Sequence, residues 1–476
     1  RSAWSTAGFF GRLNYNYKGK YLAEVNLRYD GTSRFQKNQR WNLFPSFSLG
    51  WNVAHEDFWE PLADIVNTLK LRGSYGELGN QNTDNWYQTY QVIDVKAASG
   101  SWLQNGLKPN IAQVPALVSS TLGWETIRSY NMGLDFGFFN NRLRGSFDYY
   151  MRYTDDMVGN APEMPLILGI DEPKTNNTDL KTSGWEFELG WNDRLKNGLA
   201  YSVKLMLSDS KTKITKYPNN PTRSIDQTLE GYLTGEIWGY ETIGIAKTDE
   251  EMQAHIASLP EGGQSALGAK WAAGDIMYAD LNGDGKISEG ARTLKDHGDL
   301  KVIGNKTPRY QFGLDLYADW KGFDFRAFFQ GVLKRDYWQG SSYFWGAGGN
   351  IWWSVGLKQH GDFFLAEPYE AFAANTEAYY PRPLFNTDKN RLQQSRYLQD
   401  ASYVRLKNLQ LGYTLPTSLT QKMHIQKLRF YVSGENLWTI TGMADMFDPE
   451  TVGGGSDNGN AYPLSTTISL GLNLTF

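Results

Sequence analysis

Cysteine is absent from the 476 residues. That excludes disulfides, thiolate metal sites and a cysteine nucleophile. No apolar stretch is long enough to make a membrane helix. Lys and Arg form no block and the formal net charge is −4, so nucleic-acid binding has little support. Catalytic signatures are equally scarce. His55, His255, His297, His360 and His424 form no HExxH and no close pair, and neither a GxSxG elbow nor a P-loop occurs. A site assembled across strands is the enzymatic arrangement this leaves open, and the expectation is a protein that makes and breaks no covalent bond.

What the chain does have is a period of two. Leu464, Ile468, Leu470, Leu472, Leu474 and Phe476 share one face of a strand with Thr466, while Ser465, Thr467, Ser469, Gly471, Asn473 and Thr475 share the other. Such alternation marks a strand between an apolar and a polar environment. The same pattern recurs upstream. Tyr21, Ala23, Val25, Leu27 and Tyr29 oppose Glu24, Asn26, Arg28 and Asp30; Tyr130 to Phe138, Leu199 to Ser208 and Leu428 to Ser433 repeat it. Tyr310, Phe312, Leu314, Leu316, Ala318 and Trp320 oppose Gln311, Asp315 and Asp319. These runs exceed the ~5–6 residues of an ordinary strand. A large soluble sandwich or propeller is the alternative, but each Leu or Phe left in water forgoes about 1.5–3 kcal/mol of burial. Several per strand call for lipid, so the expected class is an all-β, transmembrane antiparallel β-barrel. The aromatic content (17 Trp, 28 Tyr and 24 Phe) suits rings at both membrane interfaces.

Turns fall into two populations. Short ones are Lys18–Lys20, Asn140–Asn141, Asp193–Asn197 and Lys321–Gly322, with Pro416–His424 and His55–Asn67 somewhat longer; the long ones cover roughly 79–123, 159–177, 217–307, 339–396 and 441–461. Barrels of this kind keep short turns on the periplasmic side and long loops outside. Glu236–Ala246 has strand propensity, but counting it as a span would put the next short turn on the wrong side, so it belongs to the excursion over 217–307. About thirteen spanning strands remain. With both barrel termini in the periplasm an odd number cannot close, so further strands are expected upstream. The chain also opens without Met, n-region or h-region, and is expected to be the C-terminal part of something longer.

The stretches FFGRLNYNYKGKYLAEVNLRYDGTSRF at 9–35, WNLFPSFSLGWNVAHEDF at 41–58 and LKLRGSYGELGNQ at 69–81 resemble the SusC/RagA type of TonB-dependent outer-membrane transporter. So do GDIMYADLNGDGKIS at 274–288, IGNKTPRYQFGLDLYADWKGFDFRAFFQG at 303–331, YLQDASYVRLKNLQLGYTLP at 397–416, RFYVSGENLWTITG at 429–442, DPE at 448–450 and the terminal strand. The resemblance implies a 22-stranded plugged barrel, of which residues 1–476 would be the C-terminal thirteen or so strands. Signal peptide, N-terminal extension, energy-coupling box, plug and first strands would lie upstream. It further implies a place in the bacterial outer membrane with the C-terminus in the periplasm, a SusD-like surface lipoprotein as lid, coupling to the TonB complex, and import of oligosaccharides or peptides. A lidless siderophore or cobalamin receptor and a barrel-anchored surface adhesin are the alternatives.

The sharpest local motif is Asp280-Leu-Asn282-Gly-Asp284-Gly285-Lys286-Ile-Ser288-Glu289. Oxygens at positions 1, 3 and 5, Gly at 6 and a carbonyl at 7 match an EF-hand-type loop. Asp280, Asn282, Asp284 and the Lys286 carbonyl would surround Ca2+, serving a structural role in an extracellular loop. Position 12 is Ala291, so Glu289 or Asp296 would complete the shell. A turn capped by its own Asp and Asn side chains is the plainer reading. Tyr343, Phe344, Trp345, Trp352 and Trp353 in the 339–396 loop, and Trp86, Tyr87, Tyr90 and Trp102 in the 79–123 loop, could stack on cargo or dock a lid, or simply pack among loops. Asn80, Gln81 and Asn82 carry amides suited to hydroxyls. The charges Glu24, Arg28, Asp148, Arg152, Glu186, Glu188, Asp315 and Arg326 are expected to pair with one another or with the plug. Arg405 and Lys407 share the parity of Leu409, Leu411 and Leu415, where a midplane charge costs about 2–4 kcal/mol. They are expected to lie beyond the apolar band or to be reset by a bulge.

Overall fold

Period-two runs of aromatic and branched residues form long antiparallel strands wherever the sequence analysis places them. The computed structural model describes residues 3–83, 85–112, 114–170, 172–346, 354, 356–453 and 461–476. Two compact units divide the chain.

The first unit takes in residues 1–189, 210–223 and 227–233. Its strands are β1 (Thr6–Tyr17), β2 (Tyr21–Thr32), β3 (Trp41–Asn52), β4 (Val66–Asn80), β7 (Glu125–Phe138), β8 (Leu143–Asn160) and most of β9 (Lys174–Arg194), hydrogen-bonded in that order, with a small hairpin of β5 (Val95–Lys96) and β6 (Ile111–Ala112) between β4 and β7. Lys18 and Gly19 join β1 to β2 with φ of 51° and 69°. Positive φ at both central residues is the tight hairpin turn that matches strand twist. The β3–β4 ladder stops at Ser46, opposite Gly76. Pro45 follows in that direction and has no N–H to continue it.

The second unit takes in residues 190–209, 224–226 and 234–476. Here β10 (Ala200–Lys216, up to Asp209), β15 (Arg309–Trp320), β16 (Phe323–Lys334), β18 (Gln399–Thr414), β19 (Lys427–Gly442) and β20 (Thr467–Thr475) follow one another in the sheet, and β17 (Asp336–Tyr337) adds to β18. Glu236–Ala246 stays outside that sheet. It supplies β11 (Glu236–Tyr240), paired with β14 (Leu300–Asn305), and β12 (Thr242–Ile245), paired with β13 (Ile276–Tyr278). Helix α1 (Asp249–Ala257), capped by Thr248, lies between them.

Arg405 and Lys407 are reset by a bulge. Leu409 and Leu411 face Ala327 and Phe325 on β16, but Leu406 faces Phe329 and Asn408 faces Phe328, so Lys407 is an extra residue. The apolar face therefore passes from odd to even positions, through Leu406 and Val404, and Arg405 falls on the polar face opposite Gln330 and Thr439. The terminal strand is shorter than its alternation suggests, starting at Thr467. Its partner β19 is regular only to Glu435; Asn436 then takes a left-handed φ of 51°, and the ladder cannot continue past it.

Burial is inverted relative to a water-soluble sheet. Phe9 (69% exposed), Leu49 (68%), Met132 (74%) and Leu470 (87%) lie open on the strands. The large fully buried side chains Phe35, Leu122, Met252, Ile276, Tyr278, Ile287, Phe344 and Tyr397 lie outside the long strands. The strands have an apolar face that needs a non-aqueous neighbour, while the connections carry their own cores.

Candidate functional site in the long connections

Within the second unit, the excursion between β10 and β15 is tied to the one between β16 and β18. The tie is the fully buried Asp275. Its carboxylate accepts from Arg382 (Nε and Nη2, both 2.6 Å), Lys389 Nζ (2.7 Å), Asn390 Nδ2 (2.9 Å) and the Ala272 amide (3.0 Å). Burial alone would raise this carboxyl's pKa, but Arg382, Lys389 and Asn390 outweigh it and hold Asp275 below the usual carboxylate range. Lys389 also lies over the Trp271 ring, 4.5 Å from its centre. The Tyr278 hydroxyl donates to the Lys389 carbonyl at 2.6 Å. Gln264 accepts from the Tyr278 amide (2.7 Å) and donates to Ile276 O (3.0 Å), while Thr242 Oγ1 donates to Gln394 (2.9 Å). Asp275 and Tyr278 stand inside the stretch GDIMYADLNGDGKIS, yet sequence reasoning passed over them because their partners are over a hundred residues away.

Phe344 and Trp345 are not displayed. They are 0% and 7% exposed and form an aromatic core with Tyr379, Tyr380, Tyr397 and Phe447 at centroid separations up to 6.5 Å. Trp345 Nε1 donates to Gln339 O at 3.1 Å. Their role is to build the loop, and Trp345 and Tyr380 also edge a cavity of about 270 Å³ with His360, Arg382 and Phe385. Trp352 and Trp353 lie outside the described residues.

In the first unit Trp86, Tyr87 and Trp102 are exposed, Trp102 by 60%. Tyr87 is anchored to the Ala3 backbone by hydrogen bonds of 2.9 and 2.8 Å. Trp4 lies beside Trp86 and under the Arg34 guanidinium. Around the β5–β6 hairpin Val92, Ile93, Val95, Leu103, Leu107 and Val114 are all exposed, an unusual density of open aliphatic side chains.

The Asp280–Glu289 segment is a turn closed by its own side chains. Asp280 accepts from the Gly283 and Gly285 amides (2.6 and 2.9 Å), Asn282 from Asp284 N (2.9 Å), and Asp284 from Lys286 N (3.2 Å). Gly283 and Gly285 take φ of 74° and 76°, as the tight path demands. Glu289 turns away to Arg292 (2.9 Å). The buried Asp299 holds both ends of the turn, accepting from Leu281 N and Ser288 N at 2.8 Å. Burial raises its pKa above the usual carboxylate value. Among the described residues no three His, Cys, Asp or Glu are grouped as metal ligands. An ion here would depend on Asp280, Asn282, Asp284 and the Lys286 carbonyl, with Glu289 freed from Arg292.

The DPE stretch receives the reset charges. Arg405 donates to Asp448 and Glu450 (both 2.8 Å), and Lys407 to Glu450 (3.0 Å). On the strands, Arg72 pairs with Asp135 on β7 and Asp148 on β8, Arg12 with Glu24 and Arg326 with Asp315 across neighbouring strands, and Arg28 with Asp30 along β2.

Comparison with known proteins places this architecture. The chain is 31% identical to the TonB-dependent receptor P3 of Formosa agariphila, over 98% of its own residues and 45% of that protein. It is 27% identical to the TonB-dependent receptor SusC of Bacteroides thetaiotaomicron, over 98% and 43% respectively. It thus spans less than half the length of these relatives. Among solved structures, the RagAB peptide transporter superposes with a TM-score of 0.76 at 24% identity, over 99% of this chain and 48% of that one, which speaks for the fold. The sequence pattern of the family described as TonB dependent receptor-like, beta-barrel, matches residues 2–437, and the chain belongs to that family.

Proposed function

We propose that this chain works as part of an outer-membrane importer of oligomeric nutrients, glycan or peptide. In this reading residues 1–476 are the C-terminal part of the transporter barrel, set in outer-membrane lipid with the C-terminus in the periplasm. A plug and energy-coupling segment outside these residues connect it to the TonB complex. A SusD-like surface lipoprotein closes over the long connections, and no covalent chemistry takes place. The family match over residues 2–437 carries the reading, and the exposed aliphatic cluster around the β5–β6 hairpin supports a partner that covers it. A structural Ca2+ on Asp280, Asn282, Asp284 and the Lys286 carbonyl belongs to the same proposal.

Mild-detergent capture of the complete protein from outer membranes, with mass spectrometry of co-purifying proteins and ligands and metal analysis of the same preparation, tests it. A stoichiometric lipoprotein, bound glycan or peptide, and about one calcium per chain are expected. A barrel that elutes alone would favour the lidless receptor. A metal-free preparation with the lid present would remove only the ion.

A further inference from the structure

A second cavity, of about 310 Å³, opens where the two knitted excursions meet. That is room for one or two sugar rings and falls at the lower end of ligand-pocket sizes. Trp238 and Trp338 line it, with Asp226, Glu236, Arg292 and Lys306. We propose that this cavity between Trp238 and Trp338 is a binding subsite for a neutral saccharide. The proposal rests on the importer reading and narrows its cargo to glycan.

Trp238 is aimed by a register slip. On β11 Ile237 faces Gly304 but Trp238 faces Val302, one β14 residue being skipped. Bulges of this kind redirect a side chain and recur beside functional sites. Trp338 directly follows β17, whose Asp336 accepts from the Asn305 amide (2.9 Å) and whose Tyr337 is buried. Trp238 is thus carried by backbone paired to β14, and Trp338 by a short strand that pairs with β18 and is tied to β14 through the Asp336 side chain.

The polar lining is balanced. Asp226 and Glu236 offset Arg292 and Lys306, so a neutral guest meets no net charge. Arg292 is already held by Asp226 through Nε (2.7 Å) and by Glu289 (2.9 Å). That pairing keeps the Asp226 carboxyl below its ordinary pKa, and so an ionised acceptor. The Lys306 ammonium and the Trp338 indole N–H have no hydrogen-bond partner among the described residues and can donate. A sugar ring matches this set, with an apolar C–H face for an indole and hydroxyls that both donate and accept. A peptide held by main-chain pairing would need an open strand edge. Here β14 takes one edge of β11, and the Gln393–Gln394 segment covers Tyr240 on the other.

The test is titration calorimetry of the complete protein in detergent against neutral oligosaccharides of three to six hexoses, with uronic-acid oligosaccharides and tripeptides as separate arms. Trp238→Ala, Trp338→Ala and Trp338→Phe are compared, with heat-modifiable gel migration as the folding control. A neutral oligosaccharide is expected to bind, each alanine variant to weaken it about tenfold or more, and Trp338→Phe to retain most of the affinity. Binding of acidic glycans or peptides alone, no binding of any neutral oligosaccharide, or unchanged affinity in both alanine variants overturns the subsite. TonB-dependent glycan uptake that survives both alanine variants would reject the site and leave the importer standing. Absence of any TonB-dependent uptake by the wild type would reject the importer itself.

Discussion

At the scale of single residues, Asp275 bears the most. Two cations, an amide side chain and a backbone N–H converge on one carboxylate, and Lys389 is 2% exposed beside it. Removing one member of a buried pair leaves the other charged and undersolvated, which costs about 3–5 kcal/mol. Asp275→Asn keeps the shape and two of the hydrogen bonds but strands Lys389. The expected outcome is faster amide exchange over 264–278 and 380–394 together, with the β15–β16 hairpin unchanged. Arg382→Gln should do less, because that side chain reaches solvent at 28% exposure. Exchange that accelerates on only one side of the pair would show that Asp275 does not hold the two excursions to each other.

At the scale of elements, alternation made the strands legible: one face must meet an apolar medium, so the period survives in composition. The tight turns were legible too, since Lys18-Gly19 and Lys321-Gly322 take the positive φ that a two-residue hairpin needs. The extent of β20 was not legible, because it depends on a left-handed Asn436 in its neighbour. The bulge at Lys407 was foreseen only as a way to rescue two misplaced charges, and it makes a sharp prediction. Deleting Lys407 removes the extra residue and restores regular alternation from Leu406 to Asn408, leaving Arg405 on its polar face at the loss of one Lys407–Glu450 pair. Deleting Leu409 instead either keeps the bulge and flips everything before it, sending Arg405 toward the apolar side at about 2–4 kcal/mol, or closes the bulge and puts Asn408 where Leu409 met the apolar side. In the complete protein, the Lys407 deletion should retain heat-modifiable migration and the Leu409 deletion should lose it. Equal behaviour of the two would refute the bulge as the parity switch.

At the scale of the whole molecule, sequence reasoning separated strands from connections and left the rings of two long connections open between display and packing. Phe344 and Trp345 pack into a core, and the excursions of the second unit have an inside. What joins them is sequence-distant charge pairing, which leaves no periodic trace. That pairing also sets how the connections should respond to acid. Asp275 and Asp448 both sit below the ordinary carboxylate pKa, burial being outweighed at Asp448 by Arg405 and by the Glu450 and Leu464 amides. An acid lowered on folding contributes its full stability above its unfolded value of about 3.9 and loses it as pH falls through the folded value. Asp299 has the opposite sign. Its raised pKa means that the ionised form is penalised, so falling pH relieves the turn at 280–289. Pulse-labelled exchange of the complete protein between pH 6 and pH 3 should therefore show 264–278 and 380–394 opening together below about pH 4, with residues 443–450 loosening in the same window. The 280–289 turn and the β15–β16 hairpin should stay protected. Simultaneous opening of the 280–289 turn with the Asp275 segments would mean that the excursion responds as one charged body, with Asp299 contributing nothing of its own.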